Sequence, residues 1–382
     1  MSNGGDGPDG SARGTWAIIA GGGTGGHVVP ALAVGRALVA AGHPVSTIHF
    51  VGSSRGIEGR LVPEAGFQLT ALPGRGIARR LTVDNIGAVA GLLAAVARAF
   101  GEVRRRRPAV VVSVGGYASV PCALAAVLLR VPLVLVGVDA VPGAALRLVA
   151  RFAAASAVAF EGTPLPRATV TGSPVRQEIL DVERTPAARA SARSALGLPL
   201  DAVVVGVMTG SLGSTRVNEA VIGVVERWRD RGDLAVRHAV GRRDWPALAA
   251  TRPALPEGGL VYQPVEYEDR MDLVYAAVDV MVSRAGGMTV AELAAVGLPS
   301  VIVPLPGSPG DHQTGNGRRL ERAGAAVLVP DAELTTDRLE QELEPLVADA
   351  GRRDAMAAAA AGLGRRHAAT AIAALVEQHA RR

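Results

Sequence analysis

Along the first half of the chain, short unbroken runs of β-branched and apolar residues alternate with longer Ala-rich stretches of helical periodicity. The runs Trp16–Ala20, Ser46–Val51, Val110–Val114, Leu133–Gly137 and Ala157–Phe160 predict strands, most of them apolar enough to be buried on both faces. Pro30–Ala41, Asn85–Arg105 and Val120–Leu129 predict the helices between them. Strand–helix alternation of this kind predicts an α/β fold with a parallel, doubly wound sheet. The pattern breaks at the punctuated stretch Gly172-Ser173-Pro174-Val175-Arg176 and a polar Arg/Ala-rich segment, then restarts. Strands are predicted at Ala202–Met208, Asp279–Ser283 and Ser300–Pro304, with helices at Val217–Trp228 and Met288–Ala295 and a mostly helical end over 352–382.

A chain of 382 residues favours two domains over one. The expected division is a polar tail over 1–14, a Rossmann-like domain over 15–171, a second one over 172–364, and a terminal helix over 365–382 returning to the first. Two such halves would set a cleft between the carboxyl ends of their strands, where ligands bind in open sheets. The longest apolar tract, Ala118–Val138, is interrupted by Pro121, Arg130 and Pro132. A membrane span needs about 20 predominantly apolar residues, so the tract reads as helix, turn and buried strand.

Composition narrows the chemistry. Hydrophobic residues make up 49% of the chain and aromatics 3%, so the cores must be built from Ala, Val and Leu. All 40 basic residues are arginine, which excludes a Walker-type phosphate lysine and a Schiff-base lysine. The net charge of +5 suits an anionic substrate or membrane surface and does not call for nucleic acid. Cys122 stands alone, so an internal disulfide or cysteine metal cluster is excluded, as expected in a reducing cytoplasm. Residues 1–13 are polar and lack the apolar core of a signal peptide.

The glycine-rich turns carry the candidate chemistry. Gly21, Gly23 and Gly26 satisfy G-x-G-x-x-G after a strand and before a helix. Glycines there permit positive φ and close backbone approach, and the helix N-terminus offers free N–H groups to an anion. A dinucleotide site also wants an acid about 20 residues on, and Phe50-Val51-Gly52-Ser53-Ser54 supplies none. A diphosphate-contacting turn is the better reading, beside a nicotinamide site and a simple bend. His27 sits at the mouth of this turn, placed for catalysis or substrate contact. Ser113-Val114-Gly115-Gly116-Tyr117 and Thr209-Gly210-Ser211-Leu212-Gly213-Ser214 repeat the strand–glycine–helix logic. Ser283–Glu292 does so again, with Gly287, Met288 and Thr289 opening a helix that carries Glu292, a carboxylate suited to a ribose diol. Pro304–Gly317 reads as a long polar loop bearing Asp311, His312, Gln313 and Asn316.

Together, GGGTGGHVVPALAV, SVGGYASVP, VTGSPVR, SRAGGMTVAELAAVGLP and DHQTGN resemble the MurG-type glycosyltransferases, glycosyltransferase family 28 with the GT-B fold of two facing Rossmann-like domains. The motifs fall in the family's order, and the resemblance covers roughly residues 15–375. It implies transfer of N-acetylglucosamine from UDP-GlcNAc to an undecaprenyl-diphosphoryl-muramyl-pentapeptide, with inversion at the anomeric carbon. Thr24, Gly25, Gly26, Gly116 and Tyr117 would then face the acceptor. Arg176, Ser211 and Gly213 would contact the UDP diphosphate or uridine, Glu292 the ribose hydroxyls, and His312 and Gln313 the donor sugar. Met271 would flank the uracil, and Gly287, Met288, Thr289 and Asn316 complete the donor side. His27 is the first candidate for general base. No metal or other cofactor is expected, since no carboxylates are paired at a spacing that would hold one.

The chain departs from the family at informative places. Where the family usually has a His-Glu-Gln-Asn run, this chain reads Val136-Gly137-Val138-Asp139. Asp139 thereby becomes a second catalytic candidate, as base or as partner to His27. Leu212 stands where the family usually has glutamine, and Cys122 replaces a small residue. An alternative acceptor, such as a secondary-metabolite scaffold, is therefore also an expected reading. Arg75, Arg79, Arg80, Arg98 and Arg104–Arg107 surround Ile86, Val89, Leu92, Leu93, Val96 and Phe100 at helical spacing. In the family this region forms an apolar patch with a basic rim, which implies peripheral docking on the inner face of an anionic membrane.

Overall fold

In a computed structural model, residues 14–381 are described apart from 55 and 74–83, with the backbone alone described over 84–90. The tail 1–13, Arg75, Arg79 and Arg80 lie outside the described residues, as do the side chains of Ile86 and Val89. The chain splits into two compact units. The first contains residues up to Gly137, Pro142–Thr171 and Ala369–Arg382; the second contains Val138–Val141 and Gly172–Ala368.

The first unit runs β1 (Ala17–Gly21), α1 (Gly25–Ala40), β2 (Ile48–Ser53), α2 (Glu58–Glu64), β3 (Gln68–Leu72), α3 (Asp84–Arg106), β4 (Val110–Gly115), α4 (Ser119–Leu128), β5 (Leu133–Gly137), α5 (Ala144–Val149), β6 (Ala155–Val158) and β7 (Ala168–Val170). Among the described residues these strands form a seven-stranded sheet in the order β3-β2-β1-β4-β5-β6-β7, every pair parallel. Strands β1, β2, β4 and β5 are buried along their whole length, which is why they read as continuous apolar runs rather than alternating ones. The core between the sheet and α3–α4 is largely Ala, Val and Leu, with Ala95, Ala99, Cys122, Ala125 and Ala126 letting helix and sheet approach closely.

The second unit runs α6 (Gln177–Leu180), α7 (Pro186–Leu196), β8 (Val203–Met208), α8 (Thr215–Arg227), β9 (Leu234–Ala239), α9 (Trp245–Ala250), β10 (Val261–Val265), α10 (Met271–Ala277), β11 (Val280–Ser283), α11 (Gly287–Val296), β12 (Ser300–Ile302), α12 (His312–Arg322), β13 (Ala326–Leu328), α13 (Thr336–Ala348) and α14 (Ala350–Leu363). Its sheet is again parallel, in the order β10-β9-β8-β11-β12-β13. Local signals set the helix ends. Thr185 accepts from the Ala188 N–H, Pro186 occupies the first helical position of α7, and Gly197 closes it with φ 66°. Ser214, Thr335 and Asp349 cap α8, α13 and α14 in the same way.

The last helix, α15 (Ala368–His379), brings the chain's end back to the first unit. There Glu377 bonds His43 at 3.0 Å and the Arg381 N–H donates to the Ala109 carbonyl at 3.0 Å. The strands β3, β7, β9, β10 and β13 were absent from the sequence expectation. β3, β7, β10 and β13 are edge strands, and β10 carries Pro264, tolerated at an edge where no ladder partner lies beyond. β9 conceals its strand character behind Arg237 and His238, which pair with Glu268 and Tyr262 respectively.

Candidate active site

In each sheet the strand order reverses between the first and fourth strands of the unit, β1 and β4 in one and β8 and β11 in the other. Ligands bind outside the carboxyl ends of strands at such switch points. All four loops at these points are the glycine-rich turns picked out in the sequence.

In the first unit, the turn after β1 and the turn after β4 pack backbone to backbone. Gly23, Gly115 and Gly116 have φ of 94°, 107° and 83°. A Cβ at Gly116 would stand 2.2 Å from the Gly22 carbonyl oxygen, so no other residue fits. The His27 ring, in the first turn of α1, lies over Gly115, where an added Cβ would come within 2.9 Å of its Cδ2. Its Nδ1 is 3.3 Å from Thr24 Oγ1, and the His27 N–H donates to the Thr24 carbonyl at 3.1 Å. Thr24 and Gly26 are exposed and Gly25 half-buried. The Tyr117 hydroxyl donates to the Pro73 carbonyl at 3.1 Å, and desolvation raises its pKa. Behind the turn lies Glu58, a buried carboxylate absent from the sequence reading, which accepts from the Gly23 and Ser53 N–H groups.

In the second unit, the Thr209–Ser214 loop is held by Arg242 and Arg243, whose N–H groups donate to the Ser211 and Leu212 carbonyls at 3.2 and 3.3 Å. Gly213 (φ 90°) lies against Gly241 (φ 92°), where a Cβ would fall 2.2 Å from the Gly213 nitrogen. Ser211 and Leu212 are exposed. After β11, Arg284 donates to the Val303 and Pro304 carbonyls at 3.1 and 3.0 Å, to Asp331 at 2.6 Å and to the Ser214 hydroxyl. One guanidinium therefore joins three loops of the site, a role that only the strand order reveals.

Helix α11 begins at Gly287, with Met288 and Thr289 half-buried and Glu292 buried. Glu292 accepts from the Tyr275 hydroxyl at 3.0 Å and from Arg176 at 3.3 Å. Burial raises its pKa, with Arg176 and Tyr275 opposing the shift. Met271 is buried in the first turn of α10, the helix that also supplies Tyr275.

The segment expected as a loop through Gly317 turns helical at His312. Gly315 and Gly317 hide the helix in the sequence because glycine is a poor helix former. Gly317 packs closely, since a Cβ would meet Leu328 Cδ1 at 2.9 Å and Ile302 Cγ2 at 3.3 Å. His312 Nδ1 is 2.9 Å from the Pro309 carbonyl oxygen. Gln313 Oε1 accepts from the Ala285 and Leu305 N–H groups at 3.1 and 2.9 Å. Asn316 is fully buried: it accepts from the Ala140 N–H at 2.7 Å and donates to Asp139 Oδ1 at 2.9 Å and the Ala285 carbonyl at 3.0 Å. Both of its amide hydrogens are engaged, so Asn316 ties the turn after β11 to residues 139–140 rather than offering a free amide to a ligand.

Asp139 is likewise relocated. The sequence placed it in the first domain, on the acceptor side; Val138–Val141 instead belongs to the second unit. There a Cβ on Gly287 would stand 2.4 Å from the Val138 carbonyl oxygen and 2.6 Å from Asp139 Oδ1. Among the described residues, no group of three or more His, Cys, Asp or Glu side chains converges to hold a metal ion.

Comparison with known proteins fits this geometry. Residues 17–158 match the glycosyltransferase family 28 N-terminal domain, and residues 204–373 match the family's C-terminal domain. A protein of Acidothermus cellulolyticus is 42% identical over 367 residues, 95% of this chain and 97% of that protein. One from a Nocardioides species is 43% identical over 359 residues, covering 94% and 96%. Both are named UDP-N-acetylglucosamine–N-acetylmuramyl-(pentapeptide) pyrophosphoryl-undecaprenol N-acetylglucosamine transferase. The crystal structure of Acinetobacter baumannii MurG superposes with a TM-score of 0.74 at 26% identity, covering 95% of this chain and 99% of that one.

Proposed function

Because the chain belongs to glycosyltransferase family 28, we propose that it is a UDP-sugar-dependent GT-B enzyme that moves N-acetylglucosamine from UDP-GlcNAc to lipid-linked muramyl-pentapeptide, converting lipid I to lipid II. The observation that carries this reading is the pair of switch points, one beside an imidazole and the other beside a buried carboxylate. On the donor side, Glu292 accepts from the ribose hydroxyls and Met271 flanks the uracil. Arg176, Ser211 and the amides around Gly213 and Gly287–Thr289 take the diphosphate, whose negative charge grows as it leaves. His312 and the Gln313 amide group read the sugar hydroxyls.

On the acceptor side, Thr24, Gly25, Gly26 and Gly116 face the acceptor diphosphate, with Tyr117 bracing the wall. His27 removes the proton from the attacking hydroxyl, a contribution worth typically 10²–10⁴-fold. Asp139, which belongs to the second unit and lies beside Asn316 and Gly287, is the second candidate for that role. Replacing His27 or Asp139 by alanine separates them: the base variant loses turnover while UDP affinity holds, and wild-type turnover removes that residue from the role. The reaction draws on no metal, so turnover in EDTA should equal that in magnesium; a tenfold loss would refute this.

The deciding experiment incubates the protein with UDP-GlcNAc and a short-chain lipid I analogue and follows UDP and the disaccharide product together. UDP release only with another acceptor would move the reading to the alternative, a related enzyme acting on a scaffold such as a secondary metabolite. The Val136-Gly137-Val138-Asp139 departure favours that alternative.

The partner surface on the lipid side is an anionic membrane. Leu128, Leu148 and Phe152 are 68%, 61% and 42% exposed on α4, α5 and the turn that follows, with Arg151 stacked 4.5 Å from the Phe152 ring centroid. Arg130 and Arg147 flank them in sequence, and each arginine near such a surface adds about 1 kcal/mol. No helix among the described residues is long and apolar enough to cross a membrane; the exposed apolar side chains and their flanking arginines support peripheral attachment. Flotation with anionic liposomes at low salt should carry the protein upward; full recovery in the soluble fraction would sink the idea.

A further inference from the structure

Glu58 opens α2, yet its side chain points back into the glycine turn after β1. It is 1% exposed. The Gly23 N–H donates to both of its oxygens, at 3.1 and 3.0 Å, and the Ser53 N–H donates to Oε1 at 2.5 Å. A buried charge persists only where hydrogen bonds compensate it, and bonds to a carboxylate are about twice as strong as neutral ones. Three glycines make the room. A Cβ at Gly22 would stand 2.2 Å from Oε1, one at Gly52 2.4 Å from Cγ, and one at Gly56 1.8 Å from Oε2. Gly22 in turn lies against Gly116, whose neighbour Gly115 lies under the His27 ring.

We propose that Glu58 is a positioning residue for the acceptor half of the reaction: its carboxylate locks the Gly22–Gly23 turn, and through it the seat of His27. This rests on the reading that the turn serves the acceptor. It also assigns a different task to the turn's N–H groups. The Gly23 N–H is committed to Glu58, so an acceptor anion is left with the amides that follow it at the start of α1, Gly25 and Gly26 among them. Glu58 acts through shape and touches no substrate.

A misplacement of about 1 Å at a reacting group lowers rate by about 100-fold. Glu58→Ala should therefore reduce kcat with the lipid I analogue by about that factor, and Glu58→Gln, which keeps one acceptor oxygen, by about tenfold. UDP affinity and donor KM, set in the other unit, should stay within about twofold. Gly56→Ala leaves the carboxylate chemically intact but displaces it, and should reproduce the Glu58→Ala loss. With Glu58→Ala already present, adding Gly56→Ala should cause no further loss, because the clash is gone. Near-UV circular dichroism establishes that each variant is folded; if Glu58→Ala is not, Glu58→Gln and Gly56→Ala decide. Wild-type turnover in a folded variant, a parallel fall in UDP affinity, or additive effects of the two substitutions would each overturn the proposal. Wild-type protein run alongside separates this from failure of the acceptor reading, which would show as no turnover before any substitution is made.

Discussion

At the scale of single residues, the proposed donor half turns on a carboxylate with two unlike partners. Glu292 is held by the neutral Tyr275 hydroxyl and the Arg176 guanidinium. In the proposed donor role a ribose diol would compete with both, and a diphosphate would draw Arg176 away. Arg176→Ala should therefore weaken UDP by about tenfold to a hundredfold, the range for a hydrogen bond to a charged group, while uridine binding holds or improves. Titration calorimetry with both ligands tests this; equal losses would mean Arg176 does not sense the diphosphate. Tyr275→Phe leaves a buried carboxylate oxygen short of a donor, which should lower stability by about 1–3 kcal/mol in denaturant unfolding. An unchanged midpoint would mean the bond contributes nothing. Glu292 was legible as a carboxylate beside a glycine turn, and Arg176 through the family resemblance of VTGSPVR. Tyr275 was not, because its register against Glu292 depends on how α10 lies against α11.

At the scale of elements, two glycine pairs set the turns, and they make opposite predictions. Gly115 has a positive φ and underlies His27; Gly241 has a positive φ and backs the Gly213 amide. Gly115→Ala should depress turnover and leave UDP affinity near wild type. Gly241→Ala should weaken UDP first. Parallel measurement of kcat and UDP binding checks both, and identical effects from the two variants would contradict a division of labour between the units. Elements also mark the limit of pattern reading. The strands buried on both faces announced themselves as apolar runs, whereas edge strands such as β10 and β13 are short or polar and carry weak signals. Helix α12 was hidden by Gly315 and Gly317, whose smallness serves packing against neighbouring elements rather than local conformation.

For the molecule as a whole, each unit buries one neutral histidine in or beside its sheet. Burial, with help from Arg106, lowers the His49 pKa to about 4, and burial lowers that of His238 to about 3. A depressed pKa means the folded state prefers the neutral ring, so this contribution is complete above the unfolded value of about 6.5. It is lost as pH falls towards the folded values, by about 1.4 kcal/mol per pH unit for each ring. Thermal midpoints should drop between pH 6.5 and 4, and His238→Gln should flatten that slope relative to wild type; an unchanged slope would show that His238 does not govern it.

The sequence by itself determined the strand–helix alternation, the two Rossmann-like halves, the glycine turns and the family. These follow from side-chain period, from apolar runs, and from backbone geometry that only glycine accepts, all of which are local. What it did not determine is who meets whom across long separations. That Glu58 rather than a ligand takes the Gly23 N–H, that Arg284 joins three loops, and that Asp139 is held by Asn316 in the second unit depend on strand order and on the crossing of the chain at 138–141. Such pairings join residues 19 to 177 positions apart, and the free energy that selects them is burial and hydrogen bonding in the assembled core. No local pattern records it.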